Sequence, residues 1–310
     1  MGDVYRALHT GLRKEVALKV IGDLDSQRAV EDRDVRFERE ARTIAVLDHP
    51  NCVRVLDYGR TRKHQYIAMQ LLDGTTLAQA LRTGGRMATA RAVNIARGLL
   101  AGLVHAHARG VLHRDIKPEN VMLSASGRPT LIDFGLARLR DDAPLTARGM
   151  CIGSPSYLAP ERLDGRPHDA RADVYAVGVI LYEMIAGVRP FVGDSTVEIL
   201  SNCRHRPPRP LRAIRRDVSR PLDAVVVRAL AKDPRRRFDD AEEMLAALED
   251  VPVLEEQEER EAAVARQEQE TTTMLALAPL EPRPSRWQRL WSWWRFGRWR
   301  WPRSRRTVGA

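Results

Sequence analysis

Residues 113–120 read His113-Arg114-Asp115-Ile116-Lys117-Pro118-Glu119-Asn120, and the short apolar run after them leads into Asp133-Phe134-Gly135. Farther along come Gly153-Ser154-Pro155-Ser156-Tyr157-Leu158-Ala159-Pro160-Glu161, Asp173-Val174-Tyr175-Ala176-Val177-Gly178 and Asp233-Pro234-Arg235-Arg236-Arg237-Phe238. Any one of these, an Asp-Phe-Gly alone for instance, is short enough to have a purely structural explanation. In this order they bring carboxylates, a lysine and a carboxamide together at spacings that core packing does not account for, because such residues are seldom buried without partners. They mark a site.

Outward from this stretch the pattern divides. Residues 4–21 alternate and then run apolar through Val16-Ala17-Leu18-Lys19-Val20-Ile21, around the turn signal Thr10-Gly11, which predicts a β-hairpin. Strands are expected over Val53–Tyr58 and Gln65–Leu71, and a helix over Val35–Leu47. From Leu77 onward the pattern is mainly helical, clearest over Ala92–Arg109 and Leu222–Lys232. The apolar stretch Val174–Gly187 contains Glu183 and falls short of the roughly 20 residues that cross a bilayer, so it predicts a buried helix. A small strand-rich part thus precedes a larger helical one.

The 310 residues are 44% hydrophobic and 30% charged, a globular composition that argues against a disordered or fibrous chain. Cys52, Cys151 and Cys203 are far apart and odd in number, which disfavours a disulfide scaffold and a zinc cluster. Cys151 reads as a small apolar residue, with redox sensitivity as the sharper alternative. His49, His105, His107 and His205 show no metal-ligand spacing, and no structural metal is expected. No signal peptide opens the sequence, so the chain is expected in the cytoplasm. The formal net charge of +10 is segmented. Residues 251–282 carry eight Glu and two Arg, a net of −6, and read as an acidic linker. Residues 283–310 carry nine Arg, no acid and all six Trp, which leaves +7 for residues 1–250.

The motifs resemble the protein kinase signatures, most closely those of the bacterial eukaryotic-like serine/threonine protein kinases, and the resemblance covers residues 1–250 with every downstream motif in order. It implies an α+β fold of two lobes, a small β-rich N-lobe that lacks its first strand and a larger helical C-lobe. It also implies transfer of the γ-phosphoryl group of ATP, with Mg²⁺, to Ser or Thr hydroxyls of proteins, including the chain itself in a homodimer. Asp115 would orient the substrate hydroxyl and accept its proton, Lys117 would neutralise the transferring phosphoryl group, and Asn120 and Asp133 would hold Mg²⁺. Lys19, in Val16-Ala17-Leu18-Lys19, matches the strand lysine that pairs with the α and β phosphates. Its expected ion-pair partner is Glu40, preferred over Glu38 because Phe37, Ala41 and Ile44 define the inward stripe of that helix. Val4 and Ala17 would line the adenine site, with Met69 as gatekeeper and Gln70-Leu71-Leu72 as the hinge. Asp173 matches a buried aspartate that braces the catalytic loop, and Arg237 an arginine paired with Glu161. Thr146 lies where family members carry an activating phosphosite, and a phosphate there would pair with Arg114. The bland alternative is a solvated loop threonine.

The family's phosphate-covering loop, G-x-G-x-x-G-x-V, is represented only by Gly2 and Val4. Without the first strand and two glycines the β and γ phosphates are less enclosed. A start upstream of Met1 is the expected explanation, and a pseudokinase or scaffold that uses fold and tail for docking is the rival. In the tail, Trp287, Leu290, Trp291 and Trp294 recur at helical spacing with flanking arginines, a pattern for an interfacial helix on an anionic membrane surface. This would place the protein peripherally on the inner face of the membrane. Docking on a partner ranks second and single-stranded nucleic acid third.

Overall fold

The computed structural model describes residues 3–21, 30–61, 64–134, 155–251 and 299–300. The predicted hairpin forms as β1 (Asp3–His9) and β2 (Lys14–Ile21), antiparallel over the full length of β1, with Val4 opposite Lys19. Helix α1 (Val30–Ala45) follows, then β3 (Val55–Arg60) and β4 (Gln65–Gln70), and β4 returns along β2 with Met69 opposite Ala17. Side chains directly opposite each other in an antiparallel pair share a face. Val4, Ala17, Lys19, Ile67 and Met69 are therefore presented on one face of the sheet, and α1 closes that side with its buried stripe of Phe37, Ala41 and Ile44.

The larger part begins with the two-residue strand β5 (Thr75–Thr76), whose Thr76 caps α2 (Leu77–Gly84) in a reciprocal capping box with Gln79. Helix α3 (Thr89–His107) buries Ala92, Ile95, Ala96, Leu99 and Leu103 at three- and four-residue steps. Strands β6 (Val121–Leu123) and β7 (Pro129–Leu131) form a small sheet with β5 and run between the His113–Asn120 segment and Asp133. Helices α4 (Pro160–Leu163), α5 (Ala170–Ala186), α6 (Thr196–His205), α7 (Arg220–Ala229) and α8 (Ala241–Glu249) complete the lobe. Helix α5 is buried nearly all round, as its apolar run predicts, and ends where Gly187 takes a left-handed φ of 74° and donates its N–H to the Glu183 carbonyl at 2.8 Å. No helix among the described residues is long and apolar enough to cross a membrane.

Residues Asn51–Val53 couple the two parts. Val53 donates to the Leu131 carbonyl and Leu131 to the Asn51 carbonyl, each at 2.8 Å, and the Asn51 side-chain amide donates to the Pro129 carbonyl at 2.6 Å. This displaces the expected strand: β3 starts at Val55 because Val53 spends its backbone on β7. Gly102 of α3 makes the approach possible, since a Cβ there would lie 3.0 Å from the Asn51 carbonyl oxygen. Helix α1 also starts earlier than its predicted Val35, and the predicted helix over 284–296 lies outside the described residues.

Candidate active site

The segment from His113 to Asn120 is held from below by one buried carboxylate. Asp173, near the start of α5 and 1% exposed, accepts the backbone N–H of His113 at 2.9 Å and of Arg114 at 3.0 Å. Its two oxygens also meet His107 Nε2 and His168 Nε2, each at 2.9 Å. Burial alone would raise this carboxyl, but the hydrogen bonds and charge of His107 and His168 outweigh it and hold Asp173 well below the usual carboxylate range. Arg114 is thereby fixed at a φ of 70°, and Asp133 sits at 65°. Left-handed backbone at non-glycine residues costs energy and persists only where the surroundings impose it.

His113 is completely buried, tilted against the Phe134 ring at 4.6 Å between centroids. Its Nε2 lies 3.0 Å from the Ile132 carbonyl and its Nδ1 accepts the Asp115 N–H at 3.3 Å, a pattern that suits only the neutral ring. Burial pushes its pKa down. An unfolded histidine titrates near 6.5, so as pH falls through about 6.5 the unfolded chain binds a proton that the folded one resists. Stability is therefore fully present above about pH 6.5 and decreases below it, and the depressed Asp173 carboxyl adds a further loss at lower pH. Thermal unfolding followed from pH 7.5 down to 5 should show a falling Tm; a flat profile would refute the buried neutral assignment.

The loop presents its polar groups upward. Lys117 Nζ donates to Asp115 Oδ2 at 2.8 Å, and Asn120 Nδ2 donates to the Asp115 carbonyl at 2.7 Å and to Oδ2 at 3.0 Å. The Asp115 side chain keeps 40% of its surface exposed, while Asn120 is buried. Across the cleft, Lys19 Nζ meets Asp133 Oδ2 at 2.6 Å. Met69 is buried, Ala17 and Leu71 are half-buried, and Val4 is exposed at the open end of the hairpin. The structure thus brings Asp115, Lys117 and Asn120 into direct contact and pairs Lys19 with Asp133. Glu40 lies on α1, with its side chain outside the described residues, while the rival Glu38 is exposed beside Arg42. Gly135, Thr146 and Cys151 lie outside the described residues.

Beside the loop, a small cavity lined by Asp115, Lys117, Tyr157 and Ala159 joins the His113–Asn120 segment to the Pro155–Tyr157 turn. Tyr157 donates its hydroxyl to Glu183 at 2.6 Å and Arg189 donates to the Ser156 hydroxyl at 2.8 Å, which fixes that turn on α5. A family model for the protein kinase domain matches residues 1–248. The chain belongs to the protein kinase domain family. The kinase domain is similar to the serine/threonine-protein kinase PknB of Mycobacterium leprae (strain TN), 38% identical over 257 residues that make up 80% of this chain and 40% of that protein. PknD of Mycobacterium tuberculosis (strain CDC 1551 / Oshkosh) is 38% identical over 258 residues, 83% of this chain and 39% of its own. The chain spans about two-fifths of the length of these curated relatives.

Two residues of this kinase domain escape a sequence reading. His107, the last residue of α3, reaches Asp173 only through the packing of α3 against α5, 66 positions away in sequence, and His168 sits just ahead of α5, five positions before Asp173, with no pattern that announces a carboxylate partner.

Proposed function

We propose that this kinase domain transfers the γ-phosphoryl group of ATP to serine and threonine hydroxyls of proteins, itself among them. The observation that carries the reading is the convergence of Lys117 and Asn120 on one oxygen of the part-exposed Asp115. Held this way, the carboxylate is aimed and its other oxygen stays available to an incoming hydroxyl. The hydroxyl oxygen forms the new bond to the γ-phosphorus, its proton passes to Asp115, and the bond to the β-bridging oxygen breaks to release ADP. Lys117 neutralises charge on the phosphoryl group in transit, and Lys19 binds the α and β phosphates, with Glu40 as its partner in that state. Val4, Ala17 and Met69 surround the adenine and Leu71 supplies hinge contacts.

Magnesium fits the donor set. Asn120 commits its side-chain N–H groups to Asp115, which leaves Oδ1 as a hard oxygen donor, and the Asp133 carboxylate is the second. When bound there, the ion supplies charge neutralisation for the β and γ phosphates.

Serine/threonine specificity is supported by Lys117 and the Gly153-to-Glu161 segment, and by the names of the relatives above. Within this reading Thr146 is a self-phosphorylation site whose phosphate pairs with Arg114. Incubation with ATP should phosphorylate Thr146, and Thr146→Ala should lower activity at least several-fold. Full activity with an unchanged phosphopeptide map would remove Thr146 from the scheme. For residues 284–296, the amphipathic Trp/Arg pattern supports binding to an anionic membrane surface at about 1 kcal/mol per arginine. Flotation with anionic vesicles should carry the protein in a salt-sensitive way, and failure to float with them would eliminate that reading.

A further inference from the structure

From the end of α6 to the start of α7, residues 204–220 carry seven arginines against one acid, Asp217, a net of +6. Leu211 and Val218, 0% and 2% exposed, pin this stretch to the lobe, and Pro207, Pro208 and Pro210 restrict its backbone. The charge faces outward. Arg206, Arg212, Arg216 and Arg220 are exposed and form no ion pair among the described residues. The neighbouring acids are already engaged: Asp217 pairs with Arg215, and Asp223 accepts the Leu211 N–H at 2.7 Å. Arg215 also donates to the Met87 carbonyl at 2.7 Å, which seats the stretch against the start of α3 and brings exposed Arg86 into the same groove. Like charges gathered this closely repel one another and favour an anionic partner.

A second observation concerns where the chain leaves the lobe. Arg97 of α3 donates to the Leu248 carbonyl at 2.7 Å, and Val251, 4% exposed, donates its N–H to the same oxygen at 3.2 Å. The exit is thus held on α3, and Arg97 lies about 12 Å along that helix from Thr89, beside the arginine groove. Glu255, Glu256, Glu258, Glu259 and Glu261 all follow Val251 within ten residues, a reach of at most about 35 Å. The arginines of the tail are the farther alternative, since the first of them, Arg283, comes 22 residues after Glu261.

We infer that the acidic segment, residues 255–261, docks in cis on the arginine face built by residues 204–220 and Arg86. The segment carries five Glu and one Arg, so its charge complements the face. Arginine suits the task because its planar guanidinium meets a carboxylate through two parallel hydrogen bonds. A face pinned in place loses little freedom on binding, and the short tether gives the glutamates a high local concentration there. Covered in this way, the face no longer attracts other polyanions. The inference is independent of the phosphoryl-transfer reading.

Phenylglyoxal reacts with accessible arginines, and mass spectrometry reads each site separately. The full chain should be compared with a full chain carrying Gln at positions 255, 256, 258, 259 and 261. Arg212 and Arg216 should be modified at least about three-fold more slowly in the wild type, and the difference should vanish at about 0.5 M NaCl. Conversely, Arg212→Glu with Arg216→Glu should speed carbodiimide labelling of Glu255 to Glu261. Equal rates in both comparisons would overturn the inference. So would faster modification of Arg283, Arg286 and Arg289 in the Gln variant with Arg212 and Arg216 unchanged, which would pair the acids with the tail instead. Protection that appears only with an added DNA oligonucleotide, and equally in both proteins, would make the face a polyanion site and exclude the segment as its occupant. Protection that grows with protein concentration would place the segment on a second copy and overturn docking in cis.

Discussion

Asp115→Asn should lower the rate of phosphoryl transfer by about 10²–10⁴-fold while leaving Tm and the Kd for ATP unchanged. The substitution keeps side-chain volume and an oxygen that accepts from Lys117 and Asn120, now at 2.8 and 3.0 Å from Oδ2. It removes the capacity to take a proton. The side chain is 40% exposed, so little folding energy depends on its charge. The two effects separate because Asp115 acts on the hydroxyl and Lys19 on the nucleotide. Initial rates with saturating ATP, alongside calorimetric ATP binding, test this; a rate within three-fold of wild type would exclude Asp115 as the proton acceptor.

The largest stability effect is expected at Arg237. Its guanidinium is buried, 0% exposed in its side chain, and all of its N–H groups are used. The two terminal nitrogens bind the Glu161 oxygens at 2.6 and 2.7 Å, and the remaining donors reach the carbonyls of Ala231 at 2.7 Å, Lys232 at 3.2 Å and Arg171 at 3.3 Å. The plane also lies 4.8 Å from the Tyr175 ring centre. Arg237→Ala strands the Glu161 carboxylate in the interior and takes a donor away from the Ala231, Lys232 and Arg171 carbonyls, at a cost of about 3–5 kcal/mol. For a domain of this size that is a Tm loss of roughly 10 °C or more. Arg237→Leu combined with Glu161→Leu should recover much of it, because removing both charges ends the desolvation penalty. Urea unfolding of the three proteins provides the comparison, and a loss under 1 kcal/mol in Arg237→Ala would show that the pair carries little of the fold.

What the sequence made legible follows the range over which its signals act. Asp115, Lys117 and Asn120 could be assigned because one short loop carries all three, and Arg237 could be matched to Glu161, 76 positions away, through the family resemblance. The hairpin followed from alternation over residues 4–21, and the buried α5 from an apolar run of fourteen residues, Val174–Gly187. The start of β3 did not, because Val53 is as apolar as a strand residue but spends its hydrogen bond on Leu131. His107 and His168 were missed since a histidine at the end of one helix or just ahead of another looks the same whether or not a carboxylate packs against it. The pairing of Trp299–Arg300 with Leu8 and His9 of β1 was out of reach: two residues give no alternation, and the nearby Pro302 argues against a strand. Glu40, the expected partner of Lys19, has its side chain outside the described residues, and the contact that Lys19 makes among them is with Asp133.

Transfer of label from γ-³²P-ATP tests most directly whether the kinase domain is catalytically competent. Wild type incubated with Mg·ATP should incorporate label that appears after acid hydrolysis as phosphoserine and phosphothreonine, at a rate at least about a hundred-fold above Asp115→Asn. ATP binding by the wild type with label incorporation no greater than that of Asp115→Asn would contradict the account and leave a nucleotide-binding scaffold in its place.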